Sequence, residues 1–299
     1  MTKQISVNLI TLILFFFLAS CSFNSVFFKP DKYPAGFNEL KIKTPDDTIR
    51  IFFVGEAHQP VFTKRNGRDT VIPPYTIESV VFKSSNGHII NGWFLKPKEQ
   101  TTNITLLHLH GNAGSLFSQY QLISPLVKKG LQVFMFDYSG YGFSEGKATH
   151  KNVLEDANSA LDYLKSREEA AGTKVVVYGQ SLGGHLSAVL ATQRQKDIDG
   201  LVTEGAFSSP KDIGALTAPV IGRLFTKERY AAKKSIKDYH KPLLVIHSRE
   251  DKIIPFSMGQ RIFSAANTPK EFYEIKKSHM YGPTYYAEEI TIKIKEMLR

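Results

Sequence analysis

Short apolar runs, each four to six residues long, recur from residue 104 to residue 246 of the chain. They lie at residues 104–109, 131–136, 174–178, 200–203 and 243–246. Runs of this length, rich in Val, Ile, Leu and Phe, are typical of strands buried on both faces of a sheet. Between them lie helical stretches, at residues 118–129, 151–170, 182–193 and 257–266. The alternation predicts an α/β fold with a mainly parallel sheet and helices on both faces.

The sheet is expected to begin with an antiparallel hairpin. Asn86-Gly87 is a strong two-residue turn signal, and it separates the strand candidates at 79–83 and 89–95. A further strand candidate, 51–54, is separated from these by the Pro73-Pro74 break. We therefore expect a main domain over residues 75–299. Residues 21–74 form a tether and N-terminal extension, and 207–241 form a small helical cap.

The first twenty residues have the pattern of an export signal. Residues 9–19 are almost wholly apolar, follow the single cation Lys3, and are too few to span a membrane. Leu18-Ala19-Ser20-Cys21 follows at once and resembles the lipobox of bacterial lipoproteins. This resemblance implies a signal peptide over residues 1–20 and acyl chains on Cys21, which would anchor the protein to a membrane. Ser22, in place of the aspartate that usually retains lipoproteins at the inner membrane, favours the outer membrane.

The overall charge changes this picture little. The chain has 299 residues and a formal net charge of +10, but its basic residues are scattered among acidic ones. No dense basic stripe is interleaved with aromatic residues, so nucleic-acid binding is not indicated. The single cysteine, Cys21, cannot form an internal disulfide.

A nucleophile motif follows the apolar run at 174–178. Gly179-Gln180-Ser181-Leu182-Gly183 matches G-x-S-x-G, directly before a helical stretch. A sharp turn from strand to helix needs the two glycines and holds the serine exposed at the helix N-terminus. The pattern predicts Ser181 as a nucleophile, with the Leu182 N–H as an oxyanion donor.

A serine nucleophile needs a base and an acid that orients the base. In this motif's usual fold the acid follows the serine in sequence, and the histidine comes last. Asp251 follows the run at 243–246, with Glu250 and Glu204 as competing carboxylates. His279 is the only histidine beyond Asp251, in a loop after the strand candidate 271–275. We therefore predict Asp251 and His279 as acid and base.

The loop after residues 104–109 is the expected source of the second oxyanion donor. It reads His110-Gly-Asn-Ala-Gly114, where small residues let backbone N–H groups face the site. Asn112 N–H is the favoured donor, with Ala113 as the alternative. His110 is expected to pin the loop, and His108 to be packed within its strand.

Taken together, these motifs resemble α/β-hydrolases of the serine aminopeptidase-like, BEM46-like group. The segments that carry the resemblance are His110–Gly114, 137–146, 179–183, the His247/Asp251/Pro255 set and Ser278-His279, within residues 75–299. The resemblance implies an α/β-hydrolase fold with an eight-stranded sheet, a Ser-His-Asp triad, and no metal or organic cofactor. Members of the group act mostly on esters, thioesters or amides.

Three functions fit these observations. The first is a carboxylic-ester hydrolase of the cell envelope that acts on a small-molecule or lipid-like ester. The second is a peptidase, aminopeptidase or acyl thioesterase, although export disfavours action on cytoplasmic coenzyme A thioesters. The third is a non-catalytic binding lipoprotein, against which the complete set of Ser181, Asp251 and His279 argues.

Overall fold

A computed structural model describes residues 28–43, 48–99 and 102–299. The predicted signal peptide and Cys21 lie outside these residues. The strands, numbered β1 to β13 in chain order, are Lys29–Pro30, Glu39–Lys43, Thr48–Val54, Gln59–Thr63, Tyr75–Lys83, Ile89–Pro97, Ile104–Leu109, Ala113–Gly114, Gln132–Phe136, Lys174–Gln180, Gly200–Glu204, Leu243–Ser248 and Lys270–Ile275.

The core of the fold is an eight-stranded sheet with the strand order β13-β12-β11-β10-β7-β9-β6-β5. Strands β5 and β6 form the predicted antiparallel hairpin, with Asn86-Gly87 in its turn. Strand β6 also pairs antiparallel with β9, and the remaining neighbours are all parallel. The expected mainly parallel, eight-stranded sheet is therefore confirmed.

Helices cover both faces of this sheet. In chain order, α1 to α8 are Leu116–Val127, His150–Ser166, Leu182–Gln193, Pro210–Thr217, Ile221–Phe225, Ala232–Ser235, Phe256–Ala265 and Gly282–Met297. Helices α1 and α8 share one apolar core with the sheet, while α2, α3 and α7 share the other. Strands such as β7 and β12 are buried along their whole length, which explains why they appear as continuous apolar runs.

The predicted strand at 51–54 is present, but it does not belong to the central sheet. It lies within β3, the middle strand of a separate three-stranded antiparallel sheet formed by β2, β3 and β4. This small sheet packs against α1, where the Phe62 ring lies 6.2 Å from that of Tyr120. The N-terminal extension is thus a folded layer over one face of the domain.

The segment over residues 207–241 contains three short helices, α4, α5 and α6, and a 3-10 turn at Ile236–Asp238. Its outer surface exposes several large apolar side chains: Leu216, Val220, Ile221 and Leu224. Within the described residues, no helix has the length and apolar character needed to cross a bilayer.

The chain enters the domain beside the loop that follows β7. Strand β1 pairs in parallel with β8, with Lys29 opposite Ala113 and Pro30 opposite Gly114. The backbone N–H of Lys29 also donates to Oδ1 of Asn112 at 3.1 Å. The start of the described chain is therefore fixed next to the predicted oxyanion loop.

Candidate active site

Ser181 lies at the turn between β10 and α3, at the carboxyl edge of the sheet. Its backbone has φ 54° and ψ −112°, a strained conformation for a residue with a side chain. The Ser181 N–H donates to the carbonyl of Glu204 at 2.9 Å, which ties the turn to the end of β11. This is the sharp strand-to-helix geometry that the sequence motif predicts.

The second glycine of the motif is required by close packing. A Cβ at Gly183 would lie only 1.9 Å from the carbonyl oxygen of Leu109. The first turn of α3 can therefore approach the end of β7 this closely only because residue 183 has no side chain. As a result, the Ser181 turn and the loop that begins at His110 lie against each other.

His279 and Asp251 are in direct contact. The Nδ1 atom of His279 lies 2.6 Å from Oδ2 of Asp251, and both residues are almost completely buried. The other Asp251 oxygen, Oδ1, accepts the N–H groups of Ile253 at 2.9 Å and Ile254 at 2.8 Å. These bonds fix the carboxylate, so it can hold the imidazole in one orientation.

Burial and hydrogen bonding shift the pKa of the Asp251 carboxyl in opposite directions. Burial alone would raise its pKa, but the hydrogen bond from His279 and the Ile253 and Ile254 N–H groups outweigh that effect. The pKa of Asp251 therefore lies below its usual value, and the group is ionised at neutral pH. Glu250, the competing carboxylate, is exposed and extends from the loop surface.

The histidine also lies close to the serine turn. A Cβ at Gly205 would be 3.1 Å from Nδ1 of the His279 ring, and Gly205 follows the residue whose carbonyl binds the Ser181 N–H. Gln180, the residue before the serine, donates through Nε2 to the Met280 carbonyl at 3.1 Å. The residues flanking Ser181 and His279 are thus directly connected across the site.

Glu204, the third candidate acid, does not contact the imidazole through a hydrogen bond. Its Oε2 accepts from the Tyr178 hydroxyl and from Gln180 Nε2, both at 2.8 Å. Its Oε1 accepts the Gly282 N–H at 2.7 Å. Glu204 therefore holds the backbone just beyond His279. The sequence indicates Glu204 only as a competing acid. Its hydrogen-bonding role could not be predicted, because its partners come from separate parts of the chain.

The loop that carries His279 is conformationally strained. Lys277 and Met280 both have positive φ values, 136° and 62°. Such conformations persist only when surrounding contacts hold them. Here the contacts come from Gln180 and Glu204 on one side and from Gly111 on another, where a Cβ would lie 2.9 Å from the Met280 sulfur.

The two predicted oxyanion residues lie on the two segments that meet at Gly183. Leu182 is the first residue of α3, so its N–H has no intrahelical acceptor. The Asn112 N–H shares its peptide plane with the Gly111 carbonyl, which lies 2.7 Å from His110 Nδ1. This contact holds the carbonyl side of the peptide that carries the Asn112 N–H.

The two histidines near β7 are buried, as expected. His108 lies within the strand, with Nε2 3.0 Å from Oε1 of Gln180, and burial lowers its pKa to about 4. His110 contacts the carbonyl of Gly111 through Nδ1 at 2.7 Å, and burial lowers its pKa to about 3. Both are neutral at physiological pH and pack within the structure that supports the loop.

An apolar cluster lies beside the serine. Leu182, Phe207, Ile254 and Met258 form a small buried cluster, and the partly buried Phe28 and Ile213 pack against it. We call this set the apolar wall. Leu182 directly follows Ser181, and the Ile254 N–H donates to Asp251, so the apolar wall adjoins the reacting groups. Over the described ranges, no group of three or more His, Cys, Asp or Glu side chains is arranged to hold a metal ion.

Comparison with known proteins identifies the fold family. Residues 104–221 match the α/β hydrolase fold family. The chain is 33% identical over 212 residues to protein YfhR of Salmonella typhi, covering 66% of this chain and 72% of YfhR. It is 28% identical over 227 residues to the α/β hydrolase domain-containing protein WAV2 of Arabidopsis thaliana, covering 70% and 74%. It is 29% identical to protein Bem46 of Schizosaccharomyces pombe, covering 62% of each chain.

Solved structures show the same architecture at lower sequence identity. The esterase Pf2001 of Pyrococcus furiosus superposes with a TM-score of 0.61 and 21% identity, covering 75% of this chain and 92% of the esterase. The sequence matches, the fold and the strand–turn–helix geometry together lead to one conclusion: this chain belongs to the α/β-hydrolase superfamily and has BEM46-like relatives.

Proposed function

We propose that the chain is a serine hydrolase that cleaves carboxylic esters through an acyl-enzyme intermediate. The observation that carries the proposal is Ser181 at a strained turn beside His279, whose ring is held by the ionised Asp251 at 2.6 Å. A strained nucleophile turn and a buried, oriented imidazole are the two parts that activation of a serine requires.

In the first half of the reaction, Ser181 Oγ attacks the ester carbonyl carbon. His279 Nε2 accepts the hydroxyl proton, and the imidazolium that forms is stabilised by the Asp251 carboxylate. The N–H groups of Leu182 and Asn112 donate to the oxyanion. The tetrahedral intermediate then collapses, the C–O bond to the alcohol breaks, and His279 returns its proton to the leaving oxygen.

In the second half, water attacks the acyl-enzyme. His279 takes one proton from the water, and the resulting hydroxide adds to the acyl carbon. Collapse of this intermediate breaks the bond to Ser181 Oγ, which recovers the proton from His279. The products are a carboxylic acid and an alcohol, and the enzyme is regenerated without any external co-reactant.

Esters are favoured as substrates by two observations. The apolar wall beside Ser181 suits an acyl chain. Pf2001, which shares this fold, is an esterase. By analogy of fold, this supports ester hydrolysis as the reaction class. A panel of p-nitrophenyl esters and aminoacyl anilides separates this proposal from a peptidase.

We also propose that the enzyme acts in the bacterial cell envelope, anchored by lipid on Cys21. The support is the lipobox-like sequence at 18–21 directly after an apolar segment. Mass spectrometry of membrane-bound protein should find a diacylated Cys21 as the first residue. An intact Met1 on the membrane-bound form would refute the anchor without affecting the proposed reaction.

The nucleophile is tested by Ser181→Ala. This change removes the attacking oxygen and should lower kcat for p-nitrophenyl butyrate by about 10³-fold or more, because no other group can form the acyl-enzyme. A fluorophosphonate probe should label the wild type and not the variant. Ser166→Ala, at an exposed helix end, is the matched control and should keep full activity. Retention of more than about a tenth of wild-type activity by Ser181→Ala would exclude this serine as the nucleophile.

A further inference from the structure

A cavity of about 750 Å³ opens between the loop after β9 and the start of α2. Four basic side chains line it: Lys32, Lys147, Lys151 and Arg229. The other lining residues are small, apolar or neutral, and no Asp or Glu is among them in the part of the chain described. We call this cavity the basic pocket. Its volume is within the range of small-molecule sites.

Much of the positive charge in the basic pocket has no acidic partner. Within the described residues, Lys147 and Arg229 are exposed and form no ion pair within 4 Å. Lys151 has only a long contact of 3.7 Å to Glu155. Lys32 is different, since its ammonium donates to the Ser144 carbonyl, and burial lowers its pKa against the opposing effects of Asp137 and Glu145.

A second basic hollow on the same protein provides a contrast. It is lined by Lys233, Lys234, Lys237 and Arg261. There Lys233 and Arg261 pair with Asp212, and Lys234 pairs with Glu228. Three of its four cations therefore have an acidic partner within 4 Å, whereas Lys147 and Arg229 of the basic pocket have none among the described residues. A concave site lined by uncompensated cations attracts anions.

The backbone adds to the same potential. Thr149 caps α2 and, with His150 and Lys151, lines the pocket, so the positive end of a 17-residue helix faces it. The helix end strengthens the field, but the cationic side chains define the site. Arg229 contributes positive charge from the other side of the pocket. Burial is the main cause that lowers the pKa of His150, and the charge of Arg229 lowers it further.

The basic pocket adjoins the candidate active site through Phe28. This side chain lines the pocket, and its ring lies 5.1 Å from that of His150. It also packs against the apolar wall with Leu182. The loop after β9 makes a second connection, since Tyr141, next to the pocket residue Gly140, binds the Asn112 carbonyl at 2.8 Å.

We propose that the basic pocket binds the anionic head of the ester substrate, a phosphate or carboxylate, while the apolar part of that substrate lies on the apolar wall beside Ser181. The proposal rests on the function proposed above and names its substrate class: amphiphilic esters with a negatively charged group. Bidentate recognition by Arg229 and point charges from Lys147 and Lys151 suit either anion.

Binding can be tested without hydrolysis. The full-length Ser181→Ala chain is titrated calorimetrically with octyl phosphate below its micelle concentration, and with octyl glucoside as the neutral amphiphile. Octyl phosphate should bind more tightly, and the added change of Lys147 and Arg229 to Gln should weaken it about tenfold or more. Lys237→Gln, which removes a charge from the second hollow, is the matched control and should leave the affinity unchanged.

Two results of this titration would overturn the proposal. One is equal weakening by Lys237→Gln and by the pocket variant, which would indicate only a general effect of net charge. The other is inorganic phosphate binding as tightly as octyl phosphate, which would indicate a site for free anions with no contribution from the apolar wall.

Kinetics test the link to the reaction. The wild type is given 4-nitro-3-octanoyloxybenzoate and the methyl ester of the same benzoate, which differ in one negative charge. The ratio of their kcat/KM values should favour the anionic ester, and the Lys147/Arg229 variant should lower that ratio about tenfold. An unchanged ratio would overturn the proposal. If neither ester is cleaved, the proposed function fails, while the calorimetric result still decides whether the pocket binds anions.

Discussion

Two buried carboxylates at the ends of adjacent strands have different relations to the same histidine loop. Asp251 follows β12 and contacts the imidazole of His279 directly, at 2.6 Å. Glu204 ends β11 and contacts the backbone of Gly282, three residues beyond the histidine, at 2.7 Å. Both are within reach of the loop, and in sequence both were candidates for the triad acid.

The pKa values of the two carboxyl groups are shifted in opposite directions. The pKa of Asp251 is lowered, because the hydrogen bonds from His279 and two backbone N–H groups outweigh the effect of burial. The pKa of Glu204 is raised, because burial outweighs the hydrogen bonds from Tyr178, Gln180 and Gly282. Hydrogen bonds from neutral donors alone do not compensate the burial of Glu204. The carboxylate that faces the imidazole is the one suited to stabilise a transient cation.

Asp251→Asn should remove most of the catalytic activity, because it alters the carboxylate that contacts His279. The amide keeps the size of the side chain but favours the wrong imidazole tautomer, so kcat should fall by about 10³- to 10⁴-fold. Steady-state hydrolysis of p-nitrophenyl butyrate measures the loss, and circular dichroism checks the fold. Glu250→Gln, one residue away and exposed, is the control and should remain within about twofold of wild type. A larger loss in Glu250→Gln than in Asp251→Asn would mean that the acid is misassigned.

Glu204→Gln should have a smaller effect of a different kind. The new amide group places a donor where the carboxylate accepted hydrogen bonds, which loosens the strained loop but leaves the Asp251–His279 contact available. We expect kcat to fall about tenfold through misplacement of the imidazole. Tyr178→Phe removes only one of the bonds to Glu204 and should cost less. A loss as large as that of Asp251→Asn would show that the two carboxylates are not distinct in role.

The dependence of stability on pH should have opposite signs for the two acids. Glu204 binds its proton more tightly in the folded state, so its contribution to stability falls as pH rises above its ordinary pKa of 4.5. Asp251 binds its proton less tightly when folded, so its contribution is lost as pH falls below 3.8.

Melting temperatures of the two variants against pH measure this difference. Relative to wild type, Glu204→Gln should gain stability as the pH is raised from 4.5 towards 8. Asp251→Asn should gain relative stability only as the pH falls below 3.8. Parallel curves for the two variants would contradict the assigned protonation states.

The sequence was a good guide where chain order determines structure. Strands β7, β9, β10, β11 and β12 are buried along nearly their whole length, so each is a continuous apolar run that can be recognised locally. The Ser181 turn was recognisable because its glycines are adjacent in sequence to the serine. The pairing of Asp251 with His279 followed from their order in the chain, and the geometry places them in contact.

Features assembled from distant segments could not be predicted in this way. The four cations of the basic pocket come from residue 32, residues 147–151 and residue 229, and no local pattern connects them. The role of Glu204 depends on Tyr178, Gln180 and Gly282, which lie on other elements. The small sheet of β2 to β4 was missed because its pattern is partly exposed and short, with only Ile51 fully buried in β3.

The pairing of β1 with β8 has a consequence for where the enzyme can work. Lys29 is fixed beside the oxyanion loop and is eight residues after Cys21 (29 − 21 = 8). A fully extended chain covers about 3.5 Å per residue, so the lipidated cysteine we propose can be no more than about 28 Å from this strand. With the anchor we propose, the enzyme would be confined to a thin layer above the bilayer. Substrates embedded in or released from that layer would meet the active site at a high effective concentration, whereas molecules dissolved in bulk would not.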